Sequence, residues 1–228
     1  MAKPMKKEEL RRPDAFVQWI DSSAQWMKKH TRLLWIFLAL VIASSVTVWI
    51  VIKNQNMENK LAATAYYELM QKAPASAESN STQDWAQFLP EVQAFVEKHG
   101  SADLAAPALM LLAKAHYATG DFKSAQATYQ RALDELDADY HYLAKEGIAL
   151  SLQAQDQMDQ SIELLETLAN NTDNPLQEMH MWYLALAYQA KGDQDQALKT
   201  LQAFEQTFPT SVLKEKVQTE IALLEPSL

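Results

Sequence analysis

Apolar residues recur at helical spacing along most of this chain, and in one stretch, Leu33 to Ile52, charge disappears altogether. Thirteen of those twenty residues are Leu, Ile, Val or Phe. At a rise of about 1.5 Å per residue they make a helix of about 30 Å, the thickness of a bilayer's hydrocarbon core. Trp35 and Trp49 stand near the two ends, where amphipathic rings suit the headgroup layers. The pattern predicts one transmembrane helix over 33–52. Ala43, Ser44 and Ser45 imitate a signal-peptide cleavage site, but thirty-two residues precede the run and it continues through Trp49 and Ile52, so a retained anchor is the expectation.

Before the span, Phe16, Trp19, Ile20, Ser23, Trp26 and Met27 share one side of a helix that Pro13 and Asp14 suit at its start. Gln18, Asp21, Ser22, Gln25 and Lys29 take the other side, as in a helix lying on a lipid surface or docking on a membrane partner. After it, Leu61, Ala65 and Leu69 continue a weak apolar stripe outward from Asn54 to Gln71. Small polar residues from 73 to 82 then predict a flexible connection. A further helix carrying Trp85, Phe88, Val92, Phe95 and Val96 is expected to start or break at Pro90 and to stop at His99 and Gly100.

Beyond residue 100 the pattern repeats every 36 residues. Gly120, Asp156 and Gly192 align, and with them Leu112, Ile148 and Leu184, then Ala113, Ala149 and Ala185, then Ala115, Ser151 and Ala187. Ala125, Ser161 and Ala197 coincide, as do Tyr129, Leu165 and Leu201, and Ala132, Leu168 and Phe204. Small residues at fixed places let paired helices approach, and the large ones fill the seam. The stretches beginning at Leu112 and Leu184, each with a Gly-Asp turn and an alanine five positions after its glycine, resemble tetratricopeptide repeats. The middle unit departs from that motif with Asp156 at the glycine position and Glu146 in its first helix.

The resemblance implies an all-α fold, a single N-terminal transmembrane helix followed by a solenoid of helical hairpins with a concave inner face. On this reading the chain divides into a basic segment (1–32), the span (33–52), a stem with linker and capping helix (53–100), three repeats (101–209) and a C-terminal capping helix (210–228). The first helix of each pair would line the groove. That places Met110, Lys114 and Tyr117, then Glu146, Leu150 and Gln153, then Met179, Trp182, Leu186 and Gln189 on the inner face. Trp182 lies one position after the place where such repeats often carry a core Trp, so a shift of one residue would make it core.

Charge gives the span a direction. Residues 1–32 carry a net +4 and the remainder −13, so Lys and Arg crowd the N-terminal side, which should stay cytoplasmic while the acidic body is exported. An acidic body argues against nucleic-acid binding. With no cysteine, disulfides and thiolate metal sites are excluded, and only four glycines favour helices over a β-sandwich.

Catalytic patterns are missing from the sequence. His30, His99, His116, His141 and His180 lack zinc-site spacing, and there is no phosphate loop, nucleophile elbow or calcium loop. A non-enzymatic protein with no cofactor and no metal is the expectation. The order of segments also resembles the single-pass periplasmic ancillary subunit of the bacterial Sec translocon. This second resemblance implies an inner-membrane protein whose partners are the Sec translocon and a membrane-anchored periplasmic chaperone. A scaffold for envelope assembly or division is the alternative.

Overall fold

The computed structural model describes residues 15–74, 82–100, 102–137 and 141–225, of which the side chains are described from residue 18 onward. Among these residues all regular structure is α-helical. The start at Pro13 and Asp14, the Phe16 side chain, and most of the 73–82 connection lie outside the described residues. The chain divides into two compact units, Met1–Met57 and Glu58–Leu228.

In the first unit, α1 (Ala15–Lys29) leads into α2 (Thr31–Lys72), the His30 amide donating to the Trp26 carbonyl at 3.0 Å. Trp19, Ile20, Trp26 and Met27 of α1 are exposed. So is every side chain from Trp35 to Ile52, among which Ser44, Ser45 and Thr47 donate back to helix carbonyls. Those three hydroxyls are thereby satisfied within the helix itself, as an apolar surround requires. The helix is long and apolar enough to cross a membrane.

The second unit starts within α2. From Glu58 on, α2 packs antiparallel on α3 (Thr82–His99), with Tyr66 edge-on to Phe95 and Lys72 paired to Glu91 at 2.7 Å. The α3 helix runs straight through Pro90 instead of starting there. Pro90 sits on the exposed side, so the carbonyl that loses its amide partner one turn earlier faces water.

Three further hairpins follow: α4 (Ala105–Ala118) with α5 (Phe122–Glu135), α6 (His141–Gln153) with α7 (Met158–Ala169), and α8 (Gln177–Lys191) with α9 (Gln194–Thr207). The last element, α10 (Lys214–Leu224), covers α9 and buries Val217 against Phe204 and Leu201. From α3 onward each helix packs mainly on the ones before and after it, which makes a solenoid.

Of the seven aligned triplets of the 36-residue repeat, the six that lie within helices are buried. The turns repeat as closely: Gly120, Asp156 and Gly192 all adopt positive φ, at 84°, 60° and 88°. In each turn the next amide reaches back five residues at 2.9 Å, Asp121 to His116, Gln157 to Leu152 and Asp193 to Tyr188, and so closes the helix end. Asp121 and Asp193 then cap the following helix by accepting from Ser124 and Gln196. Hydrogen bonding from Ser124 holds the Asp121 carboxyl below its ordinary range. In the middle unit Asp156 occupies the left-handed position and Gln157 gives no side-chain cap. The departure in sequence leaves the turn's geometry intact and removes its cap.

Candidate protein-binding groove

The repeat carries the ten expected inner-face residues onto α4, α6 and α8 in three rows, with Met179 one turn earlier. Their surroundings differ. Met110 packs both on the α2–α4 cluster and on the seam of Ala113, Tyr129 and Ile148. Lys114 is exposed and holds its Nζ 5.3 Å from the centre of the Trp85 ring. Tyr117 meets Phe122 edge-on.

In the second and third repeats, several of the ten reach neighbouring helices. Glu146 Oε2 lies 3.1 Å from His180 Nε2 on α8, and Gln153 donates to Ser161 on α7. Gln189 donates to Glu220 on α10 at 2.9 Å. Trp182 is half-buried against the cluster of Ala185, Leu201, Phe204 and Val217. Leu150 and Leu186 are half-buried, and Met179 is exposed.

Sequence reasoning missed how Glu146 is held. His180 is fully buried, and its Nδ1 accepts from the Asn174 amide at 2.7 Å. The same amide nitrogen donates to the Leu168 carbonyl, and the Asn174 side-chain oxygen accepts from the Leu176 amide. With Nδ1 accepting, the His180 proton sits on Nε2 and is donated to Glu146. One buried chain of hydrogen bonds therefore ties α6, the end of α7 and α8 together. Two tyrosines feel the same carboxylate. Burial, reinforced by the charge of Glu146 and by Tyr117, pushes the Tyr129 hydroxyl up to about 12, and burial with Glu146 also raises Tyr183.

A cavity of about 640 Å³ opens beside α4, the end of α5 and the start of α6. Of the ten expected residues, Met110 alone lines it. Among the described residues no group of three or more His, Cys, Asp or Glu gathers to hold a metal.

A family model described as a tetratricopeptide repeat-like domain matches residues 24–171, more than half of the chain. The chain belongs to the tetratricopeptide repeat-like domain family. A second model, described as a tetratricopeptide repeat, matches residues 181–211, the hairpin of α8 and α9. The longer match begins ahead of the apolar run and takes in α2 and α3 with the first two repeats. The comparison with curated proteins finds no match.

Among solved structures, one titled "MamA RS-1 ArsTM double mutant" superposes with a TM-score of 0.53 at 14% identity, covering 73% of this chain and 83% of that one. A Podosopora anserina putative kinesin light chain with nearly identical TPR-like repeats gives 0.52 at 16% identity, over 75% of this chain and 85% of that one. At such identity the likeness speaks to the fold. The stacked hairpins of this tetratricopeptide repeat-like protein are the architecture of a protein-interaction scaffold.

Proposed function

We propose that this protein is a membrane-tethered, non-enzymatic adaptor whose helical-hairpin domain binds another polypeptide through the inner face of α4, α6 and α8. One observation carries the reading: a chain with an exposed, span-length apolar helix continues into hairpins of an interaction family. Net charge of +4 before the span and −13 after it supports a cytoplasmic N-terminus and a hairpin domain in the periplasm of a bacterial inner-membrane protein. Tethering holds the groove beside a membrane complex and raises its effective concentration there without any new contact. The order of segments favours the Sec translocon, with a membrane-anchored periplasmic chaperone, as that complex.

Two measurements test this together. A reporter fused after Leu228 should be active only outside the cytosol, and photocrosslinkers placed at Lys114 or Leu150 should capture translocon or periplasmic chaperone subunits in intact membranes. A cytosolic reporter, or crosslinks to soluble cytoplasmic proteins alone, would refute the proposal. Capture of wall-assembly or division proteins without the translocon would favour an envelope scaffold instead.

A further inference from the structure

The cavity at the α4–α6 end has an uneven lining. Its floor is apolar, made by Pro107, Met110, Leu136 and Leu143. Pro107 and Leu143 occupy equivalent repeat positions, one turn before Met110 and Glu146, so two inner faces contribute the same row. Leu143 leaves 44% of its surface to water. The volume lies within the range of small-ligand and anchor-residue pockets.

The rim is acidic. Asp103, Glu135 and Asp137 border the cavity, and all three are exposed. Among the described residues none of them is in an ion pair. Asp103 meets only the neutral amide of Asn59, at 2.6 Å. Glu135 also ends α5, a helix with no basic residue in its last turn. Carboxylates there face the negative end of the helix dipole, an arrangement that costs stability and concentrates negative potential over the apolar floor. Such a rim repels acidic segments and suits cations flanking an apolar side chain.

We infer that this notch seats a short segment of another polypeptide in which a large apolar residue is flanked by Lys or Arg. The apolar side chain enters between Pro107, Met110 and Leu143, and the flanking cations meet Glu135, Asp137 and Asp103. This deepens the adaptor reading and rests on it. The occupant's aliphatic Lys or Arg stems cover the remaining apolar surface while their charged ends stay hydrated.

The test uses the full chain in nanodiscs of zwitterionic lipid and the fluorescence anisotropy of three labelled peptides. One has a Leu-Phe core with Lys and Arg flanks, one the same core with Glu flanks, and one a Gly-Ser core with Lys and Arg flanks. The first should bind about tenfold more tightly than either other, as burial of one large apolar side chain allows. Glu135→Gln with Asp137→Asn should weaken it about fivefold and flatten its salt dependence. Leu143→Ser should weaken it with little change in melting, while Asp195→Asn, on the distant α9 turn, should leave it unchanged.

Equal binding of the Glu-flanked peptide, or indifference to the Glu135 and Asp137 changes, would overturn the inference; membrane crosslinks to a translocon or chaperone would still uphold the adaptor reading. Tighter binding by a chain lacking residues 1–14 would make its own basic head the occupant and overturn it too. Failure of every peptide together with an absence of crosslinked partners would remove both.

Discussion

Replacing Gly147 with alanine probes a close approach between the first and second repeats. A Cβ built on Gly147 would lie 2.4 Å from Tyr129 Cζ and 2.6 Å from both neighbouring ring carbons. Ordinary carbon contacts begin about 1 Å farther out. The ring has little room to swing aside, since Tyr129 is buried in a seam with Ala113, Ile148 and Leu152. Overpacking of this kind costs about 1–3 kcal/mol, and alanine returns about 0.8–1 kcal/mol through its better helix propensity. A contact as short as 2.4 Å belongs in the upper half of that cost, so the net loss is about 1–2 kcal/mol, which lowers the melting temperature by about 3–6 °C in a domain of this size.

Thermal unfolding of the full chain in detergent, followed by far-UV circular dichroism, measures it. Tyr129→Leu supplies the control, because Leu165 and Leu201 occupy the same position in the other repeats. The next seam shows the complementary choice, where Tyr183, equivalent to Gly147, packs against the cluster that contains Leu165. The Gly147→Ala penalty should shrink by about 1 kcal/mol or more on the Tyr129→Leu background. A Gly147→Ala protein as stable as the parent, or a penalty that Tyr129→Leu leaves unchanged, would refute the reasoning.

Restoring the Gly-Asp turn of the middle repeat, by Asp156→Gly with Gln157→Asp, should raise stability by about 1–2 kcal/mol by removing a strained positive φ and adding a helix cap, read as a higher urea midpoint. Asn174→Ala strips two buried acceptors, the Leu168 carbonyl and His180 Nδ1, of their donor and should cost about 2–4 kcal/mol in the same assay. In alkali, the unfolded chain ionises Tyr129 from about pH 10 while the folded chain keeps its proton to about 12. Stability is therefore complete below pH 10 and falls by up to about 2.7 kcal/mol as pH rises to 12, a slope that Tyr129→Phe should reduce in urea titrations across that range.

The hairpins were legible because their determinants are local and periodic. Ala113, Ala149 and Ala185 must be small for helices to touch, and Gly120 and Gly192 must turn left-handed, so both leave a mark every 36 residues. Asp156 could be aligned by the same arithmetic, although its conformation became visible only in the backbone. The bond between Glu146 and His180 spans 34 residues and depends on Asn174 in a connecting loop, so no periodicity marks it. Pro90 misled because a proline's effect depends on which side of the helix its orphaned carbonyl faces. The acidic notch was legible only in part: Glu135 and Asp137 belong to one acidic run of the sequence, whereas Asp103 and Leu143 lie in separate segments and join them only after the hairpins stack.

Among the described residues the helices from α3 onward lean chiefly on their immediate neighbours, with little long-range contact to share a load. Pulled from its far end against an anchored helix, the domain would come apart like a zipper, α10 first and then one hairpin at a time. Each step would release a similar length of chain at a modest force, so a tug from a moving partner would be absorbed gradually near the C-terminus before it reached the notch between α4 and α6.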